Sequence, residues 1–124
     1  MIIAVVDDLL FGSKIRAAAD AAGRAITFVR RGASAAATIS GEKISGGNPP
    51  DILVIVDLGQ TGAADAIREI RALPGPPVPV VAFASHVRAD LIAEARAAGA
   101  DRVLARSAFV AELPALVARA QAAR

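Results

Sequence analysis

Hydrophobic and polar positions follow two different periods along this chain. Five short apolar runs recur, at residues 2–6, 25–29, 51–56, 79–83 and 102–105. Runs of this length with little polar alternation predict strands covered on both faces. Between them the apolar residues recur at helical spacing. Residues 11–22 predict a helix with Phe11, Ile15, Ala18 and Ala22 on one stripe and Gly23 as a left-handed stop. Residues 33–39 are alanine-rich and predict a short helix, followed by a loop from Ser40 to Pro50 rich in Gly, Ser, Asn and Pro. Thr61 is placed to cap a helix that runs to Leu73, with Ala66, Ile67, Ile70 and Leu73 inward, and Pro74-Gly75-Pro76-Pro77 ends it. Residues 88–98 predict a helix with Leu91, Ala95 and Ala98 on one stripe and Gly99 as its stop. The last helix is expected from about Val110, with Pro114 in its first turn and Leu113, Leu116, Val117 and Ala120 facing the core.

Five strands alternating strictly with five helices imply right-handed crossovers and a parallel sheet covered on both sides. The expected unit is a single α/β domain over residues 1–124. In such sheets ligands bind beyond the carboxyl ends of the strands, at a topological switch point.

Composition narrows the chemistry. Cysteine is absent and His86 is the only histidine, which excludes disulfides, thiol nucleophiles and multi-histidine metal sites. The net charge is +2, but the arginines are spread along helices beside acids, and only Arg30-Arg31 forms a tight basic pair. No nucleic-acid partner is expected, because a basic stripe and a base-stacking surface are both missing from a chain without Tyr or Trp. No stretch reaches the roughly 20 apolar residues of a membrane span, and the first apolar run ends in two acids, so it is expected to be a strand, not a signal peptide. A cytoplasmic location is the expectation.

Three carboxylates fall just after strands: Asp7 and Asp8 after the first run, Asp57 after the third. Acids gathered at one sheet edge repel one another, and a divalent cation held by oxygen ligands is the physical reason to bring them together. The apolar stripe of the first helix begins at Phe11, so neither Asp7 nor Asp8 is expected to be its cap.

The order Val5-Val6-Asp7-Asp8, Val54-Ile55-Val56-Asp57, Pro79-Val80-Val81-Ala82-Phe83, and Ala98-Gly99-Ala100-Asp101 through Leu104-Ala105-Arg106 resembles the receiver domain of two-component response regulators over essentially the whole chain. That resemblance implies a flavodoxin-like (βα)5 fold with a five-stranded parallel sheet in the order 2-1-3-4-5. It implies Asp57 as acceptor of a phosphoryl group from a histidine kinase or phosphotransfer protein. It further implies Mg²⁺ held by Asp7, Asp8, Asp57 and the carbonyl of Gly59. Arg106 stands where the family has a phosphate-contacting lysine, and arginine's planar fork also suits phosphate. Ala84 stands where the family has Thr or Ser, with the hydroxyl of Ser85 next to it. Val103 replaces the switch aromatic, and Ser107 the proline after the lysine. An intramolecular salt bridge from Arg106 into the acid cluster is the structural alternative to a phosphate contact.

Two functions are therefore expected. The first is a phosphorylatable receiver, not an enzyme beyond Mg²⁺-dependent self-phosphorylation and autodephosphorylation, that signals in trans to a downstream protein. The second is a receiver-like interaction module that works without phosphorylation. A nucleotide- or flavin-binding protein is the weakest reading, because the loop after the first strand is acidic and lacks a glycine-rich cradle. A homodimer would use the surface of the fourth helix, fifth strand and fifth helix, which carries Arg88, Asp90, Glu94, Arg96 and Arg102.

Overall fold

Each apolar run becomes a strand and each helical period a helix, in the order β1 (Ile2–Val5), α1 (Leu9–Ala21), β2 (Ile26–Phe28), α2 (Ala33–Ser45), β3 (Leu53–Asp57), α3 (Ala63–Arg71), β4 (Val80–Ala84), α4 (Ala89–Ala98), β5 (Arg102–Ala105) and α5 (Arg106–Ala122). The structure is a computed structural model that describes residues 1–29, 33–45, 52–74, 78–85 and 88–122, without the side chains of 33–34, 42–45 and 119–122. His86, the Arg30-Arg31 pair, residues 46–50 and the Gly75-Pro76-Pro77 part of the proline stop lie outside the described residues, as does the side chain of Ala120.

The five strands form one parallel sheet in the order β2-β1-β3-β4-β5. This is the expected flavodoxin-like fold. Chain direction across the sheet reverses between β1 and β3, which makes their carboxyl ends the switch point.

Strand residues feed two cores alternately. Ile3, Val5, Val54, Val56, Val80 and Ala82 point to one face, where they meet Ala35 and Ile39 of α2, Ile67 and Ile70 of α3 and Ala95 of α4. Ile2, Ala4, Leu53, Ile55, Val81 and Phe83 point to the other, where they meet Ile15 and Ala19 of α1 and Phe109, Leu113 and Val117 of α5. Completely burying each such side chain stabilises by roughly 1.5–3 kcal/mol against leaving it exposed, so the two-sided sheet is the main source of stability.

Several expectations need correction. Helix α1 starts at Leu9, ahead of Phe11, and its buried stripe is Phe11, Ile15 and Ala19; Ala22 is the exposed C-cap. Helix α2 runs through Ser40 and Gly41 to Ser45, where a loop was expected. Packing of Ala35 and Ile39 against the core anchors the helix, and a glycine inside it costs only about 1 kcal/mol. Helix α3 is capped at Gly62, in the left-handed region at φ 80°, with no side-chain cap, so Thr61 does not serve. Helix α5 begins at Arg106, four residues before Val110. Ser107 is the reason: a proline there would push residue 106 out of the helical region, whereas serine leaves it free. Pro114 consequently lies in the helix interior, beyond the first turn.

Candidate functional site

The carboxyl edge of the sheet collects the residues that carry chemistry. Val5 of β1 pairs with Val56 of β3, so Asp7 and Asp8 leave β1 beside the end of β3, where Asp57 is the last strand residue. On its other side Asp57 is in register with Phe83 of β4. Ala84 ends β4, Ser85 follows it, and Arg106 follows β5.

Asp57 is the single buried polar or charged side chain among the described residues, at 5% exposure. Its Oδ1 accepts a hydrogen bond of 2.8 Å from the Gly59 N–H, which tightens the turn after β3. Its backbone carbonyl accepts from Gln60 N–H at 3.2 Å, and Leu58 N–H donates to the Phe83 carbonyl at 2.9 Å. Oδ2 accepts no hydrogen bond from a described residue, and it is not a sealed orphan atom. One carboxylate oxygen is thus fixed and the other is left for an outside partner. A Cβ on Gly59 would stand 3.2 Å from Oδ1, so glycine gives the carboxylate its room.

Asp8 does cap α1, against expectation. Its Oδ1 accepts from Leu10 N–H at 2.8 Å and from Phe11 N–H at 3.1 Å. The periodic stripe was a poor guide to the helix start, because Leu9 and Leu10 are helical yet exposed, at 84% and 67%. The acid pair lines a cleft of about 310 Å³ with Val6, Leu9, Gly12, Ser13, Arg16 and Phe28. Arg16 lies over the Phe28 ring there, 5.2 Å from its centroid. On the opposite side, Gln60, Thr61 and Gly62 of the β3–α3 loop face Leu91 and Glu94 of α4 across a groove of about 250 Å³.

Among the described residues, no group of three or more acidic or histidine side chains stands close enough together to cage a cation. The donor chemistry suits Mg²⁺ nonetheless: that ion keeps several waters and takes only one or two carboxylates, and Asp8 and Asp57 each have an oxygen outside their recorded hydrogen bonds.

Arg106 is exposed at the first position of α5. The ion pairs recorded among the described residues do not join it to Asp8 or Asp57. Its guanidinium carbon lies instead 4.8 Å from the centroid of the Phe11 ring. Sequence reasoning placed Phe11 only in the core. Its second role as a platform for Arg106 carries no local signal, because the two are far apart in the chain. Ser85 is half-buried and Ala84 is 3% exposed, so β4 ends with a methyl group where the family's hydroxyl would be. Val103 is partly buried against the α2–α4 face.

No family model matches the sequence, and no curated protein matches it significantly. Solved structures do. A response regulator from Hahella chejuensis is 25% identical, with a TM-score of 0.74 over 96% of this chain and 92% of that one. The receiver domain of a sensor histidine kinase from Pseudomonas aeruginosa, solved with magnesium coordinated in its active-site cleft, is also 25% identical, with a TM-score of 0.74 over 95% of this chain and 93% of that one. The phosphorylated form of a cyanobacterial phytochrome response regulator shares the fold at 23% identity, with a TM-score of 0.71 over 94% of this chain and 87% of that one. Strand order and helix placement give a flavodoxin-like fold, and the chain is similar to response-regulator receiver domains over about 95% of its length. No described helix is long and apolar enough to cross a membrane.

Proposed function

We propose that the protein is a two-component receiver that accepts a phosphoryl group on Asp57. The observation that carries this reading is the state of Asp57: a buried carboxylate at the switch point, with Oδ1 held by Gly59 and Oδ2 open. An isolated buried charge is costly, and a cation arriving with a phosphate donor would offset that cost. Oδ2 attacks phosphorus in line. The new P–O bond forms as the P–N bond to the donor histidine breaks, and the electron pair stays on the imidazole. Asp57, one acid of the Asp7–Asp8 pair, the Gly59 carbonyl and bound waters would hold Mg²⁺, which supplies charge compensation for the transferring phosphoryl. The magnesium in the cleft of the Pseudomonas receiver supports this choice of ion. Arg106 and the Ser85 hydroxyl are the remaining phosphate contacts. A histidine kinase or phosphotransfer protein would be the donor and a downstream protein the target, with a homodimer through α4, β5 and α5 as one further arrangement.

Acetyl phosphate or beryllofluoride with saturating Mg²⁺ tests the proposal by mass spectrometry and NMR. An adduct on Asp57, abolished in Asp57→Asn, is the expected result. Its absence would favour the second reading, a receiver-like interaction module that needs no phosphorylation. Ala84 motivates that alternative, since a buried methyl replaces the hydroxyl that would follow the phosphoryl group.

A further inference from the structure

Arg106 has an unexpected resting place. It is an exposed cation on the same sheet edge as Asp57, yet its guanidinium lies over an aromatic ring. That ring belongs to a chain of stacked aromatics. Phe11 stacks on Phe83 at 5.2 Å and 20°, and Phe83 stacks on Phe109 at 4.3 Å and 14°. Phe83 is the strand neighbour of Asp57. The N–H of Phe11 is bound by Asp8. Phe109 is on α5, one turn after Arg106. Phe11 is therefore linked to Asp8 through its backbone N–H, and through its ring to Phe83 of β4 and to Arg106 at the start of α5.

We infer that Phe11 is a positioning residue for Arg106: its ring holds the guanidinium aside in the unmodified protein, and an anion on Asp57 takes the guanidinium from it. The anion's source rests on the phosphoacceptor reading above. The relative strengths set the direction of exchange. An exposed cation–π contact is worth a factor of about two to five in an equilibrium. A charge-assisted fork from guanidinium to a phosphate-like anion is stronger. The ring thus sets a small, defined resistance to anion binding without preventing it.

The test uses the whole chain with beryllofluoride and Mg²⁺. In the free protein the δ-protons of Arg106 should show an upfield ring-current shift that disappears in Phe11→Leu. In the wild type the same shift should disappear as the adduct forms. Phe11→Leu should bind beryllofluoride about two- to fivefold more tightly, whereas Phe11→Trp, which keeps an aromatic face, should not. In an Arg106→Gln background, Phe11→Leu should leave the affinity unchanged. A packing role alone would move the affinity equally in both backgrounds and would overturn the inference. An adduct that leaves the Arg106 shift in place would also overturn it. Failure of the phosphoacceptor reading looks different: the wild type then takes up no beryllofluoride. In that event anion-driven release falls with it, and the hold on Arg106 is judged by the ring-current shift in the free protein, whose absence there overturns that part too.

Discussion

Asp8 shows how one side chain at this edge has two duties that mutation can separate. As the cap of α1 it satisfies the amides of Leu10 and Phe11. Asparagine caps as well as aspartate, and alanine does not. Asp8→Ala should therefore lower stability by about 1 kcal/mol in urea unfolding. Asp8→Asn should unfold like the wild type yet bind Mg²⁺ more weakly in a titration, if the open oxygen is a ligand. Asp90 offers a simpler test. The hydrogen bond from the Arg88 guanidinium, helped by its charge, holds the Asp90 carboxyl below its ordinary range. A depressed folded pKa gives stability present above the unfolded pKa and lost as pH falls through the folded one. Both side chains are exposed, so the consequence is local. An NMR titration should find the Asp90 midpoint below that of an ordinary aspartate, and Arg88→Ala should raise it.

At the scale of elements, the early start of α5 is the departure that bears most on the site. It begins directly at Arg106, which puts Arg106 and Phe109 on consecutive turns and aligns the cation with the aromatic stack. The early start leaves Pro114 in the helix interior, where the carbonyl of Val110 loses its N–H partner. Pro114 itself is exposed, so its ring adds no core packing. Pro114→Ala should raise the thermal midpoint, with a gain of up to about 3 kcal/mol. An unchanged or lower midpoint would mean that the helix has already adapted to the proline.

Across the whole molecule, the amino edge of the sheet is tied together as firmly as the carboxyl edge is left open. Arg71, from the end of α3, donates to the Gly99 carbonyl at 2.7 Å and the Val78 carbonyl at 2.9 Å, and pairs with Asp101. Asp101 in turn accepts from Val80 N–H at 2.7 Å. One arginine thereby joins α3, the start of β4 and the α4–β5 turn. Gly99 permits the approach: its φ is +111°, and a Cβ there would stand 2.9 Å from Arg71 Cγ. Gly99→Ala should cost about 1–3 kcal/mol in denaturant unfolding. Because the clamp is at the edge opposite Asp57, beryllofluoride affinity should not change.

Periodicity along the chain determined the number of strands and helices, their alternation, the two-sided burial of the sheet and the placing of Asp7, Asp8 and Asp57 at or just beyond strand carboxyl ends. These follow from local apolar pattern, which a linear reading registers directly. Helix ends were less legible, because they depend on single residues: Ser107 lets α5 begin at Arg106, Asp8 starts α1 ahead of its apolar stripe, and core packing carries α2 through Gly41. Only the tertiary structure decided that Asp57 keeps one oxygen held and one open, that Phe83 lies beside it, and that Arg106 rests on Phe11. The bond from Gly59 to Asp57 is local but depends on the exact turn geometry, whereas Phe83 beside Asp57 and Arg106 on Phe11 join residues tens of positions apart, brought together when parallel strands carry separate loops to one edge.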